Sequence, residues 1–90
     1  MRDKRSYRLE LHTPDRMVLD QEVIFTVIKS GAGPVGIMPE HAPLLGTVEA
    51  GVITYRDLER MEHQVNVDSG FFMVSNDGVS IVAREAQVVG

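Results

Sequence analysis

Apolar and polar positions alternate without a slip over residues 7–13, where Tyr7, Leu9 and Leu11 share one phase and Arg8, Glu10 and His12 the other. A period of two puts every second side chain on the same side of an extended chain, so this segment predicts a strand covered on one face. Thr13-Pro14-Asp15-Arg16 turns the chain. Residues 17–29 are dense in β-branched side chains on both phases, with Val23, Phe25 and Val27 on one face and Ile24, Thr26 and Ile28 on the other. That predicts a long strand covered on much of both sides. Ser30-Gly31-Ala32-Gly33-Pro34 breaks it, and residues 35–38 read as a short strand. Residues 51–56 and 63–67 form a hairpin by arrangement, joined through Asp57, Glu59 and Arg60. Residues 70–74 and 79–84 flank Ser75-Asn76-Asp77-Gly78, whose Asp-Gly pair tolerates positive φ and supplies a turn. Leu58 and Met61 have i, i+3 spacing, but the stretch is too short for a helix. The pattern therefore predicts about eight strands and an all-β antiparallel sandwich or flattened barrel with no substantial helix. It forms one domain, with a core over about residues 7–86 and a charged flexible tail at residues 1–6.

One segment does not fit a strand: Gly36-Ile37-Met38-Pro39-Glu40-His41-Ala42-Pro43-Leu44-Leu45. Pro39 and Pro43 each fix their own φ, remove a donor and push the preceding residue away from the α region. The segment is thus a stiff loop carrying Ile37, Met38, Leu44 and Leu45. It either folds onto its own core or presents an apolar surface to a partner.

Composition narrows the function classes. The 90 residues include no cysteine, which excludes disulfides, thiolate metal sites and thiol nucleophiles. A formal net charge of −4 argues against nucleic-acid binding, because phosphate neutralisation needs a basic face. The apolar runs are far shorter than the roughly 20 residues of a spanning helix, so no membrane insertion is expected. Residues 1–6 are charged and lead into no apolar stretch, so a secretory signal is not expected and a cytoplasmic location is.

Candidate chemistry is sparse. His12, His41 and His63 show no recognised metal-ligand spacing, and surface, turn or interface roles account for them better. Ser30-Gly31 and Ser69-Gly70 read as strand-end turn residues, not activated hydroxyls. Gly31-Ala32-Gly33 lacks the Lys-Ser/Thr ending and the following helix of a phosphate loop. Asp20 and Glu22 share one face of a strand, where exposed acids serve solvation. No nucleophile, base and orienter assemble into a defensible set, so no catalytic residue and no cofactor are expected.

With these pieces assembled, the chain resembles the N-terminal β-sandwich domain of the epsilon subunit of F-type ATP synthase. The likeness rests on the alternating opening strand, the Gly-rich turn, the decapeptide of residues 36–45 as the most specific string, Gly51-Val52-Ile53, Ser69-Gly70-Phe71-Phe72 with Val74, and residues 79–83 followed by Ala86. It implies a ten-stranded sandwich, monomeric when isolated, held between the gamma subunit and the c-ring of the membrane sector. Its role would be non-catalytic: fastening the central stalk to the ring, at the cytoplasmic face of a bacterial plasma membrane. The gamma contact would involve Met38, Pro39, His41, Ala42, Pro43, Leu44 and Leu45, and the c-ring contact Gly33, Pro34, Val35 and Glu40. Pro34 stands where many members carry an acid, so no salt bridge can come from it; Glu40, where glycine is common, is the candidate substitute. The resemblance stops before the helical hairpin that follows the sandwich in the family, so neither inhibition of ATP hydrolysis nor ATP binding is expected of these residues. The competing reading is a free-standing sandwich that binds a ligand or metal, with the three histidines as its candidate ligands.

Overall fold

The computed structural model describes residues 5–89. The alternating segments form β1 (Tyr7–His12), β2 (Met17–Ser30), β3 (Gly33–Ile37), β4 (Leu44–Val48), β5 (Gly51–Asp57), β6 (Glu62–Val67), β7 (Gly70–Ser75), β8 (Gly78–Ala83) and β9 (Ala86–Val88). The expected all-β architecture is present. Residues 1–4, in the expected flexible tail, lie outside the described residues. Ser6, placed with that tail, is buried and donates to Glu22 Oε2 at 2.8 Å.

The two layers are one continuous ladder folded over itself, and β2 makes the fold. Its first half pairs with β1 from Met17 to Val23, and β1 continues through β8 and β7 to β4. Its second half pairs with β3 on one side and β5 on the other, and β5 continues to β6 and β9. A register break between Val23 and Phe25 marks the crossing. One residue too many at that point reverses the alternation, as a bulge does. Val23, Thr26 and Ile28 therefore all face inward, whereas strict alternation had put Val23 with Phe25 and Val27. The β1–β8 pair is parallel, the one departure from the expected antiparallel order among the described pairings.

The core is what the period-two pattern supplies from both layers: Leu9 and Leu11, Ile28 and Ile37, Ile53 and Val65, Phe72, Val79 and Ile81 are all at most 3% exposed. Burying an aliphatic side chain of this size contributes roughly 1.5–3 kcal/mol. Packing is close enough to dictate residue type at Gly46, where an added Cβ would stand 2.5 Å from the Phe72 ring. The β7–β8 turn forms where expected, but its positive φ of 138° falls on Gly78, after the central pair Asn76 and Asp77. Leu58 and Met61 sit in the β5–β6 turn, which the Asp57 carboxylate organises by accepting from the Glu59 and Met61 amides at 2.9 and 3.0 Å.

Candidate docking surface

The stiff loop is shorter than the sequence suggests, because strands claim both its ends. Ile37 closes β3 and is buried, and Leu44 opens β4, leaving residues 38–43 as the connection. Its base is tied down from below. The Tyr7 hydroxyl donates to the Ile37 carbonyl at 2.8 Å and meets the Thr26 hydroxyl at 2.6 Å. A carbonyl can only accept, so the single phenolic hydrogen goes to Ile37 and Thr26 donates to Tyr7. Burial pushes the Tyr7 hydroxyl up to about 12, with the Thr26 hydrogen bond opposing part of the rise.

This tether predicts an alkaline transition. A folded-state value raised above 10.0 leaves the contribution of Tyr7 whole at lower pH and removes it as pH climbs toward 12. The loss is at most about 2–3 kcal/mol. Tyr7→Phe should cost about 1–2 kcal/mol near neutrality and abolish that extra alkaline loss. Urea unfolding of both proteins at pH 8 and pH 11 measures it; equal alkaline losses would refute the tether.

Above the tether, the Met38 carbonyl accepts from the His41 amide at 3.2 Å, closing a turn with Pro39 and Glu40 at its centre. Glu40 has φ 64°, the value demanded at the third position of a type II turn after proline. His41 Nδ1 donates to the Ala42 carbonyl at 2.7 Å. Ala42 and Pro43 are exposed, and Pro39 and His41 are half-buried. Met38 is 63% exposed. The two leucines differ in degree because β4 alternates: Leu44, opposite buried Val74, is 38% exposed, whereas Leu45 points outward and is 74% exposed.

Leu45 joins the loop to a surface that sequence reading missed. Cross-strand register sets Leu45 beside Met73, and Thr47 beside Phe71, which is opposite Val82. Phe71 is 68% exposed, and Met73 and Val82 are about half exposed. The same outer face turns ionic on β1 and β2. There Arg8 grips Asp20 through two 2.6 Å hydrogen bonds, and the guanidinium holds the Asp20 carboxyl below the usual carboxylate range. Glu10 lies 3.4 Å from Arg8 and 3.0 Å from His12. The signal for the apolar half was present in residues 70–74, apolar on both phases, since a strand with one solvated face should alternate.

The expected c-ring residues do not form one patch. Gly33, Pro34 and Val35 belong to β3 at the β2–β3 turn, where Ser30 Oγ donates to the Gly33 carbonyl at 2.6 Å. Pro34 is exposed and pairs with Lys29, while Val35 packs against the core. Glu40 lies beyond the opposite end of β3, in the turn with His41. From Gly33 to the end of β3 the chain rises about 13 Å, and Glu40 lies three residues further on. Glu49, exposed and hydrogen-bonded through its amide to the Lys29 carbonyl at 2.8 Å, is the acid adjoining the β2–β3 turn. The histidines are also kept apart: His12 is held by Glu10, and His63 is bonded to Asp57 at 2.7 Å and stacked on Tyr55. No group of three or more metal-ligating side chains occurs among the described residues.

Residues 6–89 match the ATP synthase delta/epsilon chain β-sandwich domain. The chain belongs to that family. Curated relatives named ATP synthase epsilon chain include one from Moorella thermoacetica, 42% identical over 82 residues, and one from Rhodospirillum rubrum, 36% identical over 77. These alignments cover 91% and 86% of this chain but 61% and 58% of the relatives. The chain thus spans about three fifths of the length of the curated epsilon chains it matches. Among solved structures, a chain of the Euglena gracilis mitochondrial ATP synthase, in an assembly of OSCP, F1 and c-ring, superposes with a TM-score of 0.89 at 21% identity. That match covers 98% of this chain and 56% of that one. A chain of the Tetrahymena thermophila central stalk and c-ring gives 0.75 at 15% identity. At these identities the structural matches show a shared fold.

Proposed function

We propose that this domain is a non-catalytic rotor element of a proton-translocating ATP synthase, joining the gamma subunit of the central stalk to the c-ring at the cytoplasmic face of a bacterial membrane. The observation that carries the reading is a stiff loop continuous with a half-apolar sheet face, on a member of the delta/epsilon family. An apolar patch of this kind on a small domain needs a cover. A loop already held by two prolines, a turn and the Tyr7 tether loses little freedom when that cover arrives. Gamma would take Met38, Pro39, His41, Ala42, Pro43, Leu44 and Leu45 together with Phe71, Met73 and Val82. The ring would take the β2–β3 turn at Gly33, Pro34 and Val35, with Glu49 as the nearby acid.

Co-expression with the gamma subunit and the c-ring of the same organism tests this. The tagged domain should retain gamma through purification and recruit the ring only when gamma is present. Failure to retain either subunit would refute the rotor role.

A further inference from the structure

The outer face of β4, β7, β8, β1 and β2 is laid out in rows, and each row changes character partway across. Register sets Leu45 beside Met73, Met73 beside Ser80, Ser80 beside Glu10 and Glu10 beside Asp20. The next row runs through Thr47, Phe71, Val82 and His12. On the reading that gamma occupies this face, we infer that the gamma element covering Leu45, Phe71, Met73 and Val82 carries Lys or Arg side chains along one flank, where they meet the carboxylates of β1 and β2.

The ionic half of the face is short of positive charge. Along this face β1 and β2 bring three carboxylates, Glu10, Asp20 and Glu22, to one guanidinium, Arg8. Glu10 and Asp20 stand directly opposite each other, an arrangement that like charges disfavour. Arg8 serves both, 2.6 Å from Asp20 and 3.4 Å from Glu10. Glu22 accepts from the Ser6 hydroxyl at 2.8 Å, a neutral donor. His12, 3.0 Å from Glu10, adds a cation only when protonated. The Glu10 and Asp20 side chains remain 34% and 31% exposed, so in the free domain water completes their solvation.

Docking removes that water. Neighbouring strands lie about 4.8 Å apart, so β4, β7 and β8 span about 10 Å, the breadth of one helix. β1 is a single strand spacing further on, beside Ser80 and Val82. An occupant that covers Met73 and Val82 therefore overhangs Glu10. A carboxylate that loses its water without gaining a cation weakens the complex. Lys and Arg meet both needs with one side chain, laying an apolar stem on Val82 and holding a charged head beyond it. A second copy of this chain would bring the same surplus of acid, and an anionic membrane surface would be repelled by it.

The 90-residue protein, a Glu10→Gln, Glu22→Gln double variant and an Arg8→Gln variant, titrated against the gamma subunit of the same organism at low and high salt, decide the matter. The double variant should bind about tenfold more weakly at low salt, mainly through slower association, and lose most of the salt sensitivity. Arg8→Gln should move the other way and bind about threefold more tightly at low salt. A general loss of folding weakens both variants and cannot produce opposite signs. Both variants within twofold of wild type, or both shifted in the same direction, would overturn the basic flank while leaving the rotor reading standing. Wild type failing to bind gamma, whether monomeric or dimerised through this face, would overturn both.

Discussion

A Leu45→Asp, Phe71→Asp double variant should fold as wild type does and lose gamma association by a hundredfold or more. Both side chains are more than two thirds exposed, so removing them empties no cavity in the free domain. Surface substitutions of this kind usually stay within about 0.5 kcal/mol each. In a docked state the same positions are different. An aromatic anchor at the centre of an interface commonly accounts for 2 kcal/mol or more, and two carboxylates buried without partners add a desolvation penalty. Thermal melting and a pull-down with gamma, run side by side, read the two halves separately. A variant that still holds gamma would show that this face is not the docking surface. A variant that fails to fold would show that the exposed residues are structural.

Gly70→Ala should be the most damaging small change available, costing about 3 kcal/mol or more. Gly70 opens β7 with Val48 of β4 on one side and Ala83 of β8 on the other. A Cβ added there would lie 1.9 Å from the Val82 carbonyl oxygen and 2.7 Å from the Ala83 Cα. Both are backbone atoms inside a ladder, so no side chain can rotate to make room and the strands must separate. On a domain of this size that is a fall of more than about 12 °C in melting temperature, or no folding at all. Gly33 is the internal control. It has φ 115° but nothing within 4 Å of an added Cβ, so Gly33→Ala should show only the conformational cost, about 1 kcal/mol. Melting curves of the two variants, differing by less than about 5 °C, would refute the steric argument.

These two predictions draw on different layers of information. The strand content was legible because one-sided burial imprints a period of two that survives in residues 7–13 and in both later hairpins. The apolar loop was legible through its prolines, whose constraints are local. Where reading failed, the cause was non-local. The bulge near Ile24 inverted the inside and outside of β2, and a single-residue register change leaves no mark on composition. β4 was read as loop because Pro43 precedes it, and only pairing with β7 makes it a strand.

By itself, the sequence determined the fold class, the position of the stiff loop and the absence of cysteine chemistry, all of which follow from local preferences and counts. Only the tertiary structure decided that Leu45 is 74% exposed while Leu44, on the core-side phase of β4, is 38% exposed, and that Phe71, Met73 and Val82 extend the loop into a surface. Those outcomes depend on which strands lie side by side. Residues far apart in the chain become neighbours through the ladder, and residues close in the chain are carried apart by it.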